Sequence, residues 1–209
     1  MFSGIVLAGG KSERMGKDKR HLLFQGESLL EISINRFRNL ADEIIVVTDE
    51  EENLDVRDVR FVIDIKKDQG PMIALFSGLS RMKNSYGIVT PVDCPLIPHQ
   101  FLDYLKEISV GYDLTVPRWK GGVEPLIAVY SKNLIPVMNE WVKNEKKLAP
   151  HLFIQNTNLK VRFIEEVEVS NYGSPEVIFF NINTENDLRK AELLLRKKPC
   201  CKEHMAKFG

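Results

Sequence analysis

The chain has 209 residues, enough for one α/β domain with a full core or at most two small ones. Lys+Arg and Asp+Glu both number 29, so the net charge is zero, no nucleic-acid-binding surface is expected, and any anion must be held by local charge. Cys94, Cys200 and Cys201 include no C-x-x-C pair, and no basic leader or run of about 18 apolar residues is present, which argues against a zinc site, a disulfide framework and a membrane span and for a cytoplasmic protein.

Apolar, β-branched runs alternate with helical patterns. "FSGIVLA" (2–8) predicts a buried strand. "SLLEISINRFRNL" (28–40) predicts a helix with Ser28 as N-cap and with Leu29, Leu30, Ile34 and Phe37 on one face. "EIIVVT" (43–48) and "VRFVID" (59–64) predict two further strands. "PMIALFSGLSRM" (71–82) opens on Pro71, a favoured first-turn residue, and predicts a helix. "YGIVTPVD" (86–93) predicts the fourth strand and "HQFLDYLKEI" (99–108) the next helix. Strands are predicted at 113–117 and 125–131, and a helix at 133–144 that Pro136 starts or kinks. Strands are predicted again at 160–167 and 176–182, and Thr184 caps a final amphipathic helix. The boundaries that follow are a single domain over 1–197 and a frayed tail over 198–209, which holds Cys200, Cys201 and His204.

Strands alternating with helices predict βαβ units, a mainly parallel sheet and right-handed crossovers. Such sheets bind ligands beyond the carboxyl ends of their strands, at a switch point in strand order. Two predicted strands end on segments suited to that role. After the first comes "LAGGKSERMGKDK", with Gly9, Gly10 and Gly16 to permit tight bends and Arg14 and Lys19 to supply charge. Five residues separate Gly10 from Gly16 and Asp18 follows Lys17, so this is not a P-loop, and no G-x-G-x-x-G is present. A phosphate loop of another kind, or a solvated charged loop, remains. After the fourth strand comes "TPVDCPLIP", in which Pro91 and Pro95 restrict the backbone around Asp93. A lone carboxylate beside a triphosphate is a usual way to hold Mg²⁺; a plain strand-end turn is the alternative. Asp64 ends the third strand ahead of Gly70–Pro71, where an acid reads guanine N–H groups or simply precedes a helix.

Together these residues resemble the molybdenum cofactor guanylyltransferases, a nucleotidyltransferase family. The resemblance rests on "LAGGKSERMGKDK", "GPMIALFSGL", "PVDCPLIP" and "NINTENDL", in that order over most of the chain. It implies a three-layer Rossmann-like α/β fold with a mainly parallel mixed sheet. It also implies the transfer of GMP from GTP to molybdopterin, with Mg²⁺ required and pyrophosphate released. By motif, Leu7, Ala8, Gly9 and Gly10 would contact the nucleotide, Arg14 and Lys19 its phosphates, Asp64 the base and Asp93 the magnesium. Asn181 and Asn183 would lie near the pterin half. A further polar contact of the family falls on Val47, Thr48 or Asp49. Lys146 and Lys147 stand where the family often carries arginine, without its two-pronged grip. "EPLIAVY" fits a strand near the active site, with Glu124 either there or paired to a surface lysine. Transient contact with cofactor-delivery proteins or apo-molybdoenzymes would also follow.

The nucleophile implied is a phosphate monoester, largely ionised at neutral pH because its second pKa is about 6. It needs no general base, in keeping with His21, His99, His151 and His204, which form no nucleophile-activating pattern. Two other classes stay open: a cytidylyltransferase or sugar-phosphate nucleotidyltransferase, and a non-catalytic module that binds nucleotide or cofactor.

Overall fold

A computed structural model describes residues 1–9, 18–49, 56–64, 70–144 and 148–196. The expectations for Gly10, Arg14, Gly16, Lys146, Lys147 and the tail with Cys200, Cys201 and His204 lie outside those residues.

In chain order the strands and helices are β1 (Phe2–Leu7), β2 (Leu23–Phe24), β3 (Glu27–Ser28), α1 (Leu29–Phe37), β4 (Glu43–Thr48), β5 (Val59–Ile63), α2 (Pro71–Arg81), β6 (Tyr86–Pro91), α3 (His99–Ile108), β7 (Leu114–Trp119), β8 (Gly122–Val123), β9 (Ala128–Ser131), α4 (Ile135–Asn144), α5 (Pro150–Asn156), β10 (Val161–Ile164), α6 (Glu166–Ser170), α7 (Pro175–Ile178) and α8 (Glu185–Arg196). The main sheet has the order β10-β7-β9-β6-β1-β4-β5, with β8 paired to β7. The pairs β1–β4, β1–β6, β4–β5 and β7–β10 are parallel; β9 runs against both its neighbours. The mainly parallel mixed sheet is therefore as expected. The strand order reverses between β4 and β6, on either side of β1, and a switch point of that kind opens a crevice at the carboxyl edge.

Helices cover both faces. In β1, Phe2 and Val6 pack into one buried cluster with α1 and α3, whereas Ile5 and Leu7 pack into a second with α2, α4 and α5. β4 divides in the same way, Ile44 and Val46 to one side and Ile45 and Val47 to the other. A strand buried on both faces must be apolar throughout, which is why these runs read so clearly.

Local chemistry fixes the helix starts. Ser28 and Glu31 form a reciprocal cap, with the Glu31 amide donating to Ser28 Oγ at 3.2 Å and the Ser28 amide to Glu31 Oε2 at 2.9 Å. Pro71 takes the first turn of α2 behind Gly70, whose φ of 86° favours glycine. Within α2, Gly78 allows close approach to the sheet, since a Cβ there would meet Ile5 Cγ2 at 2.7 Å and Val47 Cγ2 at 2.9 Å. Thr184 Oγ1 accepts the Asp187 amide at 3.1 Å and so caps α8. Pro136 sits in the first turn of α4.

Three sequence expectations need correction. The run 176–182 is not a strand: α7 covers its start, and the chain then continues outside any sheet, with Ile178, Phe179 and Ile182 buried by packing alone. The strand expected over 160–167 stops at Ile164, because Glu165 and Glu168 cap α6 reciprocally. The strand expected over 125–131 starts only at Ala128, after a turn closed by the Ile127 amide on the Glu124 carbonyl at 3.0 Å. Helix α5 and the short β2–β3 and β7–β8 hairpins were not anticipated. Among the described residues no helix is long and apolar enough to cross a membrane.

Candidate active site

The register of the central strands assembles the site. Leu7 lies opposite Pro91 in the β1–β6 pair, and the Val92 amide donates to the Leu7 carbonyl at 3.0 Å. The segments Leu7–Gly9 and Pro91–Cys94 therefore leave the sheet together. On the other side of β1, the Ala8 amide donates to the Val47 carbonyl at 2.8 Å, so the first turn of the loop continues the ladder. A cleft of about 440 Å³ opens above these ends. Leu7, Ala8, Gly9, Lys19, Asp93, Asn181 and Asn183, all singled out from sequence, line it.

Lys19 stands at its centre. Its Nζ donates to Asp93 Oδ2 at 2.9 Å and to Asn183 Oδ1 at 2.6 Å, with both charged side chains mostly covered. The ammonium joins a residue after β1, a residue after β6 and a residue just before α8. The backbone reinforces this joint, since the Ile182 amide donates to the Asp93 carbonyl at 2.9 Å.

The Asp93 loop is also anchored from below. Arg36 of α1 is buried, and its Nη2 donates to the carbonyls of Cys94 and Pro95 at 3.1 and 3.0 Å. Burial lowers the pKa of this guanidinium to about 10, which leaves it charged at neutral pH. Cys94 is buried beneath the cleft, and its thiol donates to Asn181 Oδ1 at 2.7 Å. Burial, and next the Asp93 carboxylate, push that thiol well above its ordinary pKa, so it is a protonated packing group rather than a nucleophile.

Other expectations are placed differently. Asp64 ends β5 at the same sheet edge but does not line the cleft; it accepts Ser77 Oγ of α2 at 2.8 Å, and its amide donates to the Thr48 carbonyl at 2.8 Å. Val47 and Thr48 are buried, whereas Asp49 is partly exposed and sits beside Gly9. Gly9 does not take a left-handed backbone, and a Cβ there would meet the Asp49 amide at an ordinary 3.5 Å. A tight turn is thus not why position 9 is glycine; a bare backbone facing the cleft lets a ligand approach closely. Among the described residues Glu124 pairs with no surface lysine: it lines the cleft and accepts the Trp119 indole N–H at 2.6 Å. Sequence reasoning also missed Phe179 and Cys94, whose apolar setting resembles any other core position.

Among the described residues no group of three or more His, Cys, Asp or Glu side chains could hold a metal ion by itself. Asp93 alone does suit a magnesium ion that arrives with a triphosphate, since Mg²⁺ takes one or two carboxylates and fills its remaining positions with phosphate oxygens and water. The lysine beside it suits the same charged partner.

Comparison with known proteins bears on this arrangement. The family model described as MobA-like NTP transferase domain matches residues 4–158. A protein of Peptoclostridium acidaminophilum named "probable molybdenum cofactor guanylyltransferase" is 30% identical over 205 residues, which cover 94% of this chain and 91% of the relative. A protein of the same name from Methanosarcina mazei is 34% identical over 200 residues, covering 89% of this chain and 88% of the relative. The crystal structure of molybdopterin-guanine dinucleotide biosynthesis protein A from Archaeoglobus fulgidus superposes with a TM-score of 0.78 at 23% identity, over 93% of this chain and 99% of that one, a likeness of fold.

Proposed function

The chain belongs to the MobA-like NTP transferase family, and on that premise we propose that it transfers GMP from GTP to molybdopterin, giving the guanine dinucleotide cofactor and pyrophosphate. The observation that carries this reading is the joint of Lys19, Asp93 and Asn183 above the paired ends of β1 and β6. A cation and a carboxylate, fixed at a switch point beside the bare backbone of Gly9, suit a metal-bound triphosphate. The names of the relatives from Peptoclostridium acidaminophilum and Methanosarcina mazei support the choice of GTP and molybdopterin.

In this reading a terminal phosphate oxygen of molybdopterin attacks the α-phosphorus of GTP, and the bond from that phosphorus to the bridging oxygen of the β-phosphate breaks. Pyrophosphate leaves with the electron pair. The difficulty is to bring one anion up to another, and the chain meets it by position and charge. The backbone at Leu7–Gly9 holds the nucleotide, Lys19 offsets the repulsion, and Asp93 would hold Mg²⁺, which when bound would neutralise charge on the leaving phosphates. Asn183 fixes the lysine. No side chain is required to take a proton from the nucleophile, and the histidine that reaches the cleft, His151, is exposed at its rim.

The test is pyrophosphate release from GTP, CTP, ATP and UTP, each with purified molybdopterin and Mg²⁺. Turnover with GTP alone is expected. Preference for CTP would make the protein a cytidylyltransferase, and tight GTP binding without turnover would make it a binding module.

A further inference from the structure

The cleft has two flanks. One is formed by Pro71 and Ala74 of α2 with Pro150 and His151 of α5, and beyond it β5 ends ahead of Asp64. The other rises over β9 and β7, and Glu124 is its one carboxylate among the described residues that line the cleft, apart from Asp93 at the centre. Because β9 is antiparallel, the turn that precedes it lies at the same edge as the ends of β1 and β6.

The position of Glu124 is set by backbone. Its amide donates to the Pro117 carbonyl at 3.0 Å, its carbonyl accepts the Ile127 amide at 3.0 Å, and the buried Tyr130 hydroxyl donates to the Pro125 carbonyl at 2.6 Å. Its side chain is partly covered and enters no ion pair among the described residues. The Trp119 indole holds Oε1, and the Trp119 ring in turn packs on Phe179 with centroids 5.6 Å apart. Burial raises the pKa of this carboxyl, the penalty expected for a charge withdrawn from water with no cation beside it. Removing a carboxylate from water and giving it one neutral donor is unfavourable unless further donors arrive. The indole occupies one lone pair of four, and Glu124 lines the cleft together with Pro125 and Phe179.

We propose that Glu124 recognises the acceptor substrate by accepting two parallel hydrogen bonds from the 2-amino-4-oxopyrimidine edge of its pterin, the ring N3–H and the 2-amino group. This rests on the function proposed above. A carboxylate fork matches two adjacent N–H donors in one plane, and the partly exposed Pro125 and Leu126 beside it in the cleft lining offer an apolar wall to a heteroaromatic bicycle. Guanine presents the same edge through N1–H and its 2-amino group. The flank decides between them: Asp64, the base contact that the resemblance implies, follows β5, on the far side of β1 from Glu124.

The experiment compares wild-type protein with Glu124→Gln, in which one acceptor oxygen becomes a donor that opposes the ring N–H. With GTP, Mg²⁺ and molybdopterin, the KM for molybdopterin should rise about tenfold or more while the KM for GTP stays within about twofold, the signature of lost acceptor binding. Pterin should inhibit the wild type about tenfold better than lumazine, which carries oxygen in place of the 2-amino group, and Glu124→Gln should erase that preference. A rise confined to the KM for GTP, with weaker discrimination of GTP from ITP, would assign Glu124 to guanine and overturn the proposal. Unchanged constants in a folded variant would do the same. Should Glu124→Gln fail to fold, Glu124→Asp, which keeps the charge but shortens its reach, gives the same split between the two KM values. If wild type itself makes no dinucleotide, the proposed function fails, whatever Glu124 does.

Discussion

Asp64 and Asp93 each follow a parallel strand at the same edge of one sheet, yet the two regions differ in what surrounds them. Asp93 follows the central β6, meets Lys19, and is tied by its backbone to Ile182 and through the next two residues to buried Arg36. Asp64 follows β5 at the outer end of the sheet and answers to a neutral hydroxyl on α2. Both are strand-end acids in the sequence. Strand position assigns them the edge; the segments that cross over from elsewhere in the chain assign them their chemistry.

The sharpest way to break this comparison is Asp93→Ala. It should leave a folded protein whose turnover in pyrophosphate release falls about a hundredfold or more, the size expected when a charge-stabilising group is lost. Near-normal activity at saturating Mg²⁺ would show that the central acid is no more special than the outer one. A smaller effect should come from Gly78→Ala in α2, the helix that carries Ser77 to Asp64. The added methyl would press on Ile5 and Val47 at 2.7 and 2.9 Å. Stability in urea should fall by about 1–2 kcal/mol, since overpacking outweighs the better helix propensity of alanine. An unchanged midpoint would mean that α2 moves freely on the sheet. The smallest effect should come from Asp64→Asn, with the KM for GTP up about fivefold and kcat within about twofold, as for loss of binding that is equal in ground and transition states. A fall in kcat matching that of Asp93→Ala would erase the distinction between the two regions.

The sequence was most readable where one physical requirement dominates. β1, β4 and β6 are buried on both faces, so their unbroken apolar runs could hardly be anything but central strands. Ser28, Pro71 and Thr184 marked helix starts because capping is local chemistry. Reading failed where a segment buries side chains without joining the sheet. The run at 176–182 has the composition of a strand, but its ladder is replaced by one turn of helix and by packing of Ile178, Phe179 and Ile182. Pro150, a fair first-turn signal for α5, follows a charged stretch that reads as a loop. Of the site, the residues within reach of β1 and β6 could be anticipated. The indole that redirects Glu124 could not, since Trp119 and Glu124 meet across a turn between short strands.

The reversal at β9 divides the labour of the chain. Because β9 runs against its neighbours, the stretch from Leu114 to Ser131 climbs to the ligand edge along β7 and leaves it along β9, and the later residues Asn181 and Asn183 line the same cleft. On the other side β4, β5 and α2 follow in regular succession within the first 81 residues, and Pro150 and His151 of α5 join Pro71 and Ala74 in the cleft lining. Substitutions in the turn between β7 and β9 can therefore reshape the cleft wall at Glu124 while the register that sets Leu7 against Pro91 is left as it is.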